Sequence, residues 1–273
     1  MQNQTIKKET QITGIGIHSG HKVTLTLKPA SENHGIKFIR TDLNGLEIPV
    51  TPQNLVPGAR ATILINNNIK ILTPEHLMAS LYTLGINNLI IEINAEEVPI
   101  MDGSAKDFIT CLKKAGIKKY PEKAKPLIIS KPVFISENNA YIIGLPKNKL
   151  NLTYLLELNH SFIKEQFLSL EFNKKEFQTN IAPARTFGFY SEYQALLEKG
   201  LAKGANDENT VVIGEDKYLS ALRFQDELVR HKLLDLLGDL ATINRPIMGN
   251  IISFKGGHSL NSKFIQTCLS AFF

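Results

Sequence analysis

Cysteine is scarce in this 273-residue chain, tryptophan is absent, and apolar runs are short. The two cysteines, Cys111 and Cys268, are too few for a disulfide framework or a cysteine-based zinc ribbon, and they fit a reducing compartment. No segment approaches the roughly 20 apolar residues that a membrane-crossing helix needs, and no apolar stretch follows the charges of MQNQTIKKET. Neither a membrane span nor a secretory leader is expected, and the cytoplasm is the expected location. Charge of one sign is also modest. The formal excess is +5, and Lys113, Lys114, Lys118, Lys119, Lys123 and Lys125 supply a large local share of it. These lysines lack interleaved aromatics and any nucleic-acid motif, so they read as a solvated basic connector. A modest positive field also suits a small anionic substrate.

What is present has the balance of a folded protein, 43% hydrophobic and 21% charged, at a length that suggests about two domains. Residues 11–28 read as two strands about a glycine-rich turn, with Val23, Leu25 and Leu27 alternating. ILINNNIKIL reads as a hairpin, because asparagine tolerates the left-handed backbone of tight turns. Thr73 as N-cap and Pro74 at the first helical position open a helix that Gly85 closes, and a strand (NNLIIEI) and a second helix (KDFITCLKKAGI) follow. The aperiodic YPEKAKP, residues 120–126, marks a boundary between domains spanning 1–122 and 127–273. Beyond it come strands in LIISKPVFI, AYIIGL, KLNLTYLLEL and SLEFN, helices near 187–199 and 225–240, a strand in GNIISFKG and a helix from Asn261 onward. The order of elements repeats although the letters do not. The expected fold is α+β: two similar domains, each a sheet with helices on one face.

In HKLLDLLGDL, residues 231–240, steps of four place His231, Asp235 and Asp239 on one helical stripe opposite Leu233, Leu236, Leu237 and Leu240. Such a stripe is either a solvated face with a His–Asp pair or a pair of metal ligands with a carboxylate to spare. His76, in TPEHLM, follows Glu75 directly, and neighbouring helical side chains point about 100° apart. A metal held by His76 would therefore have the Glu75 carboxylate beside it as a base; the plainer alternative is a glutamate complementing the helix dipole. Two histidines and one aspartate are a common shell for catalytic zinc. His76, His231 and Asp235 meet that count, with no HExxH or CxxC as a rival. His258, behind two glycines in KGGHSLN, is either a proton donor to a leaving group or a capping histidine. In PARTFGF, the Thr186 hydroxyl could stabilise an oxyanion, while Phe187 and Phe189 read first as core.

Taken in order and spacing, GIGIHSG, TPEHLMASLYTLGINNLIIEINAEEVPIMDGSA, ARTFGF, VRHKLLDLLGDL and KGGHSLN closely resemble the bacterial UDP-3-O-acyl-N-acetylglucosamine deacetylases. These are zinc amidases of lipid A synthesis. The resemblance runs from about residue 10 onward and implies one Zn²⁺ per chain on His76, His231 and Asp235, with Glu75 as general base. It implies further that His258 is the general acid oriented by Asp239, that Thr186 helps hold the oxyanion, and that Lys232 and Phe187 contact the nucleotide sugar. His18 matches another active-site position. The fold implied is two α+β domains face to face with the site between them, acting as a monomer on acylated UDP-N-acetylglucosamine, with no nucleic-acid partner. Ala205, Asn206 and Asn209 depart from the family where small or apolar residues line its acyl passage, and Leu145 stands where a substrate-contacting lysine is expected. Two alternatives are a zinc amidase acting on another N-acyl sugar and a catalytically silent nucleotide- or nucleic-acid-binding protein. Turnover of acylated against unacylated sugar nucleotides separates the first, and salt-dependent RNA binding without zinc would mark the second.

Overall fold

The computed structural model describes residues 2–58 and 60–272; Met1 and Phe273, the outer ends of the expected domains, lie outside the described residues. The first half is rich in strands: β1 (Gln2–Ile6), β2 (Thr10–Ile15), β3 (Lys22–Pro29), β4 (Ile36–Arg40), β5 (Leu46–Pro49), β6 (Leu55–Val56), β7 (Ile63–Asn66) and β8 (Ile69–Leu72). Helix α1 (Glu75–Leu84), β9 (Leu89–Ile93), α2 (Lys106–Ala115) and β10 (Ile117–Lys123) complete it. The second half holds β11 (Leu127–Ile128), β12 (Val133–Glu137), β13 (Ala140–Leu145), β14 (Leu150–Leu156), β15 (Gln166–Glu171) and the short α3 (Lys174–Glu176). It continues through β16 (Phe187–Phe189), α4 (Tyr190–Glu198), β17 (Val211–Ile213), α5 (Glu227–Ala241), β18 (Ile247–Phe254) and α6 (His258–Phe272).

The two large sheets share one plan. The first runs β2-β3-β9-β4-β5 and the second β12-β13-β18-β14-β15, with β11 added beside β18. In each, the central strand lies antiparallel to one neighbour and parallel to the other: β9 to β3 and β4, β18 to β13 and β14. The duplication expected from element order thus holds at the level of strand pairing, and the fold is α+β. Helix α2 packs on α1 and β2, α5 on β14 and β15, and α6 on β12 and β13, while α1 and α5 lie against each other. That helix pair joins the halves and carries the expected metal ligands.

Helix α5 shows why the stripe in HKLLDLLGDL is not a surface face. Its leucines Leu233, Leu236 and Leu237 are fully buried, and its polar stripe is buried too, with His231 at 2%, Asp235 at 4% and Asp239 at 1% exposure. Within α5 only Arg230 and Lys232 escape full burial. Close approach to α1 depends on Gly238, where an added Cβ would sit 2.2 Å from the Glu75 carbonyl oxygen. Backbone cannot yield as a flexible side chain does, so Gly238→Ala is expected to cost about 3 kcal/mol. Urea unfolding checks this: the midpoint falls while the slope holds, and an unmoved midpoint would contradict the tight contact.

Several boundaries differ from the sequence reading. The asparagine hairpin forms as expected, with Asn67 and Asn68 at φ 47° and 66°. Thr73 is not the N-cap; it adopts φ 58°, Pro74 takes the cap position, and the Thr73 hydroxyl reaches Glu97 at 3.5 Å instead. YPEKAKP is not wholly irregular, since β10 runs to Lys123 against β1, whose polar sequence gave no strand signal. Residues 187–189 are strand β16, parallel to β17, and the helix begins at Tyr190. The last helix begins at His258, three residues before Asn261.

Candidate active site

Helices α1 and α5 bring together groups that are far apart in sequence. His76, His231 and Asp235 each offer one atom able to ligate a metal, and these atoms all lie within 4.8 Å of one another. Asp235 Oδ1 is 3.6 Å from His76 Nε2 and 3.3 Å from His231 Nε2. The Nδ1–H of His231 donates to the Ala184 carbonyl at 3.0 Å, which leaves Nε2 as the lone-pair nitrogen facing the site. Burial lowers the His231 pKa to about 4 although Asp235 opposes the shift, so the ring is a neutral donor near pH 7. Burial also works against the Asp235 anion, but His231 and Lys232 outweigh it and hold the carboxyl well below the usual range. The Nδ1 of His76 is buried with no partner. Two imidazole nitrogens and an anionic oxygen converging in a buried pocket fit a divalent transition metal.

A carboxylate and an imidazole stand at the edge of this donor set. Burial raises the pKa of Glu75, partly offset by His258 and His76. His258 Nε2 lies 4.0 Å from both Glu75 Oε1 and Asp235 Oδ2, and its Nδ1 is 2.9 Å from Asp239 Oδ2. Burial alone would depress the His258 imidazolium; the buried Asp239 carboxylate bonded to it reverses that and pushes the pKa up to about 9. Lys232 Nζ donates to Asp235 Oδ2 at 2.8 Å. Burial disfavours its charge, but Asp235 and Tyr154 more than compensate and hold its pKa above the ordinary lysine value.

One cavity of about 590 Å³ is lined by His18, Glu75, His76, Thr186, Phe187, His231, Lys232, Asp235 and His258. Asp239 alone of the expected site residues is not part of the lining; it sits behind His258. Phe187 is not simply core, since its ring meets His231 edge-on with centroids 6.3 Å apart. The lining also includes the apolar Ile17, Phe189, Leu196, Ala202, Val212 and Leu219, of which Phe189, Leu196 and Val212 belong to β16, α4 and β17. Of the three departures there, Ala205 and Asn206 line the cavity and Asn209 does not. Asn206 and Asn209 spend their side chains on the loop itself: Asn206 Oδ1 accepts from the N–H groups of Glu208 and Asn209, and Asn209 Nδ2 donates to the Gly204 carbonyl. Leu145, paired with Asn250 where β13 ends, does not line the cavity.

Residues outside the expected set hold this arrangement. The buried Glu97 carboxylate accepts the N–H groups of His18 and Ser19, each at 2.8 Å, and so fixes the GIGIHSG loop against the cavity. Burial lowers the His18 pKa, with Glu97 opposing and Arg60 reinforcing the shift. In PIMDGSA, Gly103 has φ +81° and leaves room for the Asn209 carbonyl oxygen, which an added Cβ would overlap. Its own carbonyl accepts the Thr186 N–H at 2.9 Å. The motif therefore supplies backbone shape that places Thr186. Arg185, next to Thr186, pairs with the fully buried Glu227 at 3.0 Å. Thr62 and Asn261 meet Asp239. Nothing in the local sequence of Thr62, the entry to a hairpin, pointed to the site.

Donor atoms suited to a divalent ion, with a further carboxylate and imidazole at their edge, are the arrangement a hydrolytic metalloenzyme needs. The family described as LpxC: UDP-3-O-acyl N-acetylglycosamine deacetylase matches residues 3–270, and the chain belongs to that family. A UDP-3-O-acyl-N-acetylglucosamine deacetylase of Thermodesulfovibrio yellowstonii is 44% identical over 264 residues, covering 96% of this chain and 90% of the relative. Proteins of the same name from Geotalea uraniireducens and Helicobacter pylori are 41% and 39% identical, covering 98% and 99% of this chain and 88% and 92% of the relatives. Among the described residues no helix is long and apolar enough to cross a membrane.

Proposed function

We propose that this protein is a zinc-dependent amide hydrolase that removes the N-acetyl group of UDP-3-O-acyl-N-acetylglucosamine, releasing acetate, in lipid A biosynthesis. The observation that carries this reading is the meeting of the His76, His231 and Asp235 ligand atoms beside Glu75 and His258, in a cavity whose lining also includes many apolar residues. His76, His231 and Asp235 would hold one zinc ion. When bound there, zinc supplies Lewis acidity, polarising the amide carbonyl and making water acidic near neutral pH.

The chain's own groups divide the remaining work. Glu75, with Oε1 toward the cavity, takes a proton from the attacking water as its oxygen bonds to the acetyl carbon. The Thr186 hydroxyl donates to the oxyanion that forms. As the C–N bond breaks, His258 Nε2 delivers its proton to the sugar nitrogen. Acetate and a free amino sugar leave, and Asp239 stabilises the imidazolium until that transfer. Lys232, Phe187 and His18 line the cavity where the nucleotide sugar would lie, and the apolar lining residues such as Phe189, Leu196 and Val212 suit an acyl chain. We place the protein in the cytoplasm as a monomer, within two domains that divide near residues 122–127.

His258 sets the alkaline limit. Its pKa is raised to about 9, so the cation is complete below the ordinary imidazole value and is lost as pH rises through about 9. Turnover is expected to fall along that limb, and so is the stability contributed by the His258–Asp239 pair. A pH–rate profile checks this: His258→Ala should lower the plateau and flatten the limb. Acetate release from the acylated sugar nucleotide, compared with the unacylated one, tests the function itself. Absence of release from the zinc-loaded protein would refute it.

A further inference from the structure

One buried polar residue at the centre of the site has no part in the reaction as written. Thr62, immediately before β7, is 1% exposed. Its N–H donates to Glu75 Oε2 at 3.2 Å, leaving Oε1 as the oxygen that lies 4.0 Å from His258 Nε2. Its hydroxyl donates to Asp239 Oδ1, and the same oxygen lies 3.3 Å from His258 Nδ1. A carboxylate only accepts, so the hydroxyl proton points at Asp239 and the hydroxyl lone pairs face Nδ1–H. Asp239 Oδ2 meanwhile accepts from His258 Nδ1 at 2.9 Å and from Asn261 Nδ2 at 2.7 Å. The Nδ1 proton is therefore held between two acceptors, and Nε2 is turned toward Glu75. The Thr62 carbonyl accepts the Thr73 N–H at 3.0 Å, two residues before Glu75, so the hairpin entry and the approach to α1 are tied together.

We propose that Thr62 is a positioning residue that sets the general acid and the general base in register, its backbone N–H aiming Glu75 and its hydroxyl holding the Asp239–His258 pair. Serine retains every one of these bonds. Valine keeps the volume and the N–H but has no hydroxyl, leaving Asp239 Oδ1 without its donor. The proposal rests on the deacetylase reading, in which His258 and Glu75 move the protons.

The test uses the zinc-loaded protein and three variants, Thr62→Val, Thr62→Ala and Thr62→Ser. Loss of a hydrogen bond to a charged group corresponds to about tenfold in rate, so Val and Ala should lower kcat by about tenfold with KM little changed, and Ser should recover most of the loss. Proton NMR supplies a readout that does not depend on turnover. The downfield resonance of the His258 Nδ1–H should move in Val and Ala and return in Ser. Parental kcat with an unmoved resonance in Val and Ala, or Ser as impaired as Val, overturns the proposal. If Val does not fold, Ala and Ser decide the matter. An inactive parent would instead count against the deacetylase reading, and the resonance would still report whether Thr62 holds the pair.

Discussion

Glu75→Gln is expected to retain its zinc and lose acetate release by about 10²–10⁴-fold, the range for removing a general base. The substitution is nearly isosteric, keeps an oxygen to accept the Thr62 N–H and removes the anion. The Glu75 carboxylate is outside the proposed ligand set of His76, His231 and Asp235. Ion affinity should therefore change little while water activation fails. Burial makes the distinction sharper: Glu75 is 3% exposed, so bulk solvent cannot substitute a base at that position. The loss should appear in kcat, since the amide ground state does not need the charge. Metal analysis beside steady-state kinetics checks both halves. Loss of zinc from this variant would make Glu75 a ligand, and undiminished turnover would remove it from the chemistry.

His231→Ala is the second large effect, and it should act on the ion. One of three protein donors disappears, the ring nitrogen 3.3 Å from Asp235 Oδ1. Loss of one donor of three is expected to weaken zinc binding by at least about 100-fold, with turnover falling to the level of the metal-free protein. Folding should survive, because the leucine face of α5 that packs into the core is untouched. Dialysis against a chelator followed by zinc titration measures the affinity, and circular dichroism reports the fold. Excess zinc should restore part of the activity in His231→Ala and none in Glu75→Gln, which separates the roles of ligand and base.

These expectations rest on features of unequal visibility in the sequence. The i, i+4 spacing of His231 and Asp235 is a local property of a helix, so the linear chain displays it. That the stripe is buried follows from distant segments lying across it, α1 among them, a contact that Gly238 permits by having no Cβ. Equivalence of the two sheets showed in the order of strands and helices because topology survives when letters diverge. Strands β1 and β10 were hidden because they form a separate two-stranded sheet of largely polar sequence, and the buried alternating positions of β1 are Asn3 and Thr5, which no hydrophobic alternation marks. The Phe187–Phe189 strand was masked by the helix that continues from Tyr190.

Within the site, side chains announced by short motifs were legible and the groups that orient them were not. Ala184 works through its carbonyl and Gly103 through its backbone shape, and neither function selects a recognisable side chain. Thr62 meets Asp239 across 177 positions of sequence, a separation at which no periodicity speaks. Asn206 and Asn209 looked like polar intrusions into an apolar passage. Their amides close hydrogen bonds within their own loop, although Asn206 still lines the cavity.

X-ray absorption at the zinc edge tests the central claim most directly. The zinc-loaded protein should show two imidazole nitrogens and at least one oxygen at about 2.0–2.2 Å, no sulfur, and one ion per chain, with one imidazole lost in His231→Ala. A coordination shell containing sulfur, or one unchanged in His231→Ala, would contradict the assignment of His76, His231 and Asp235 as the ligand set.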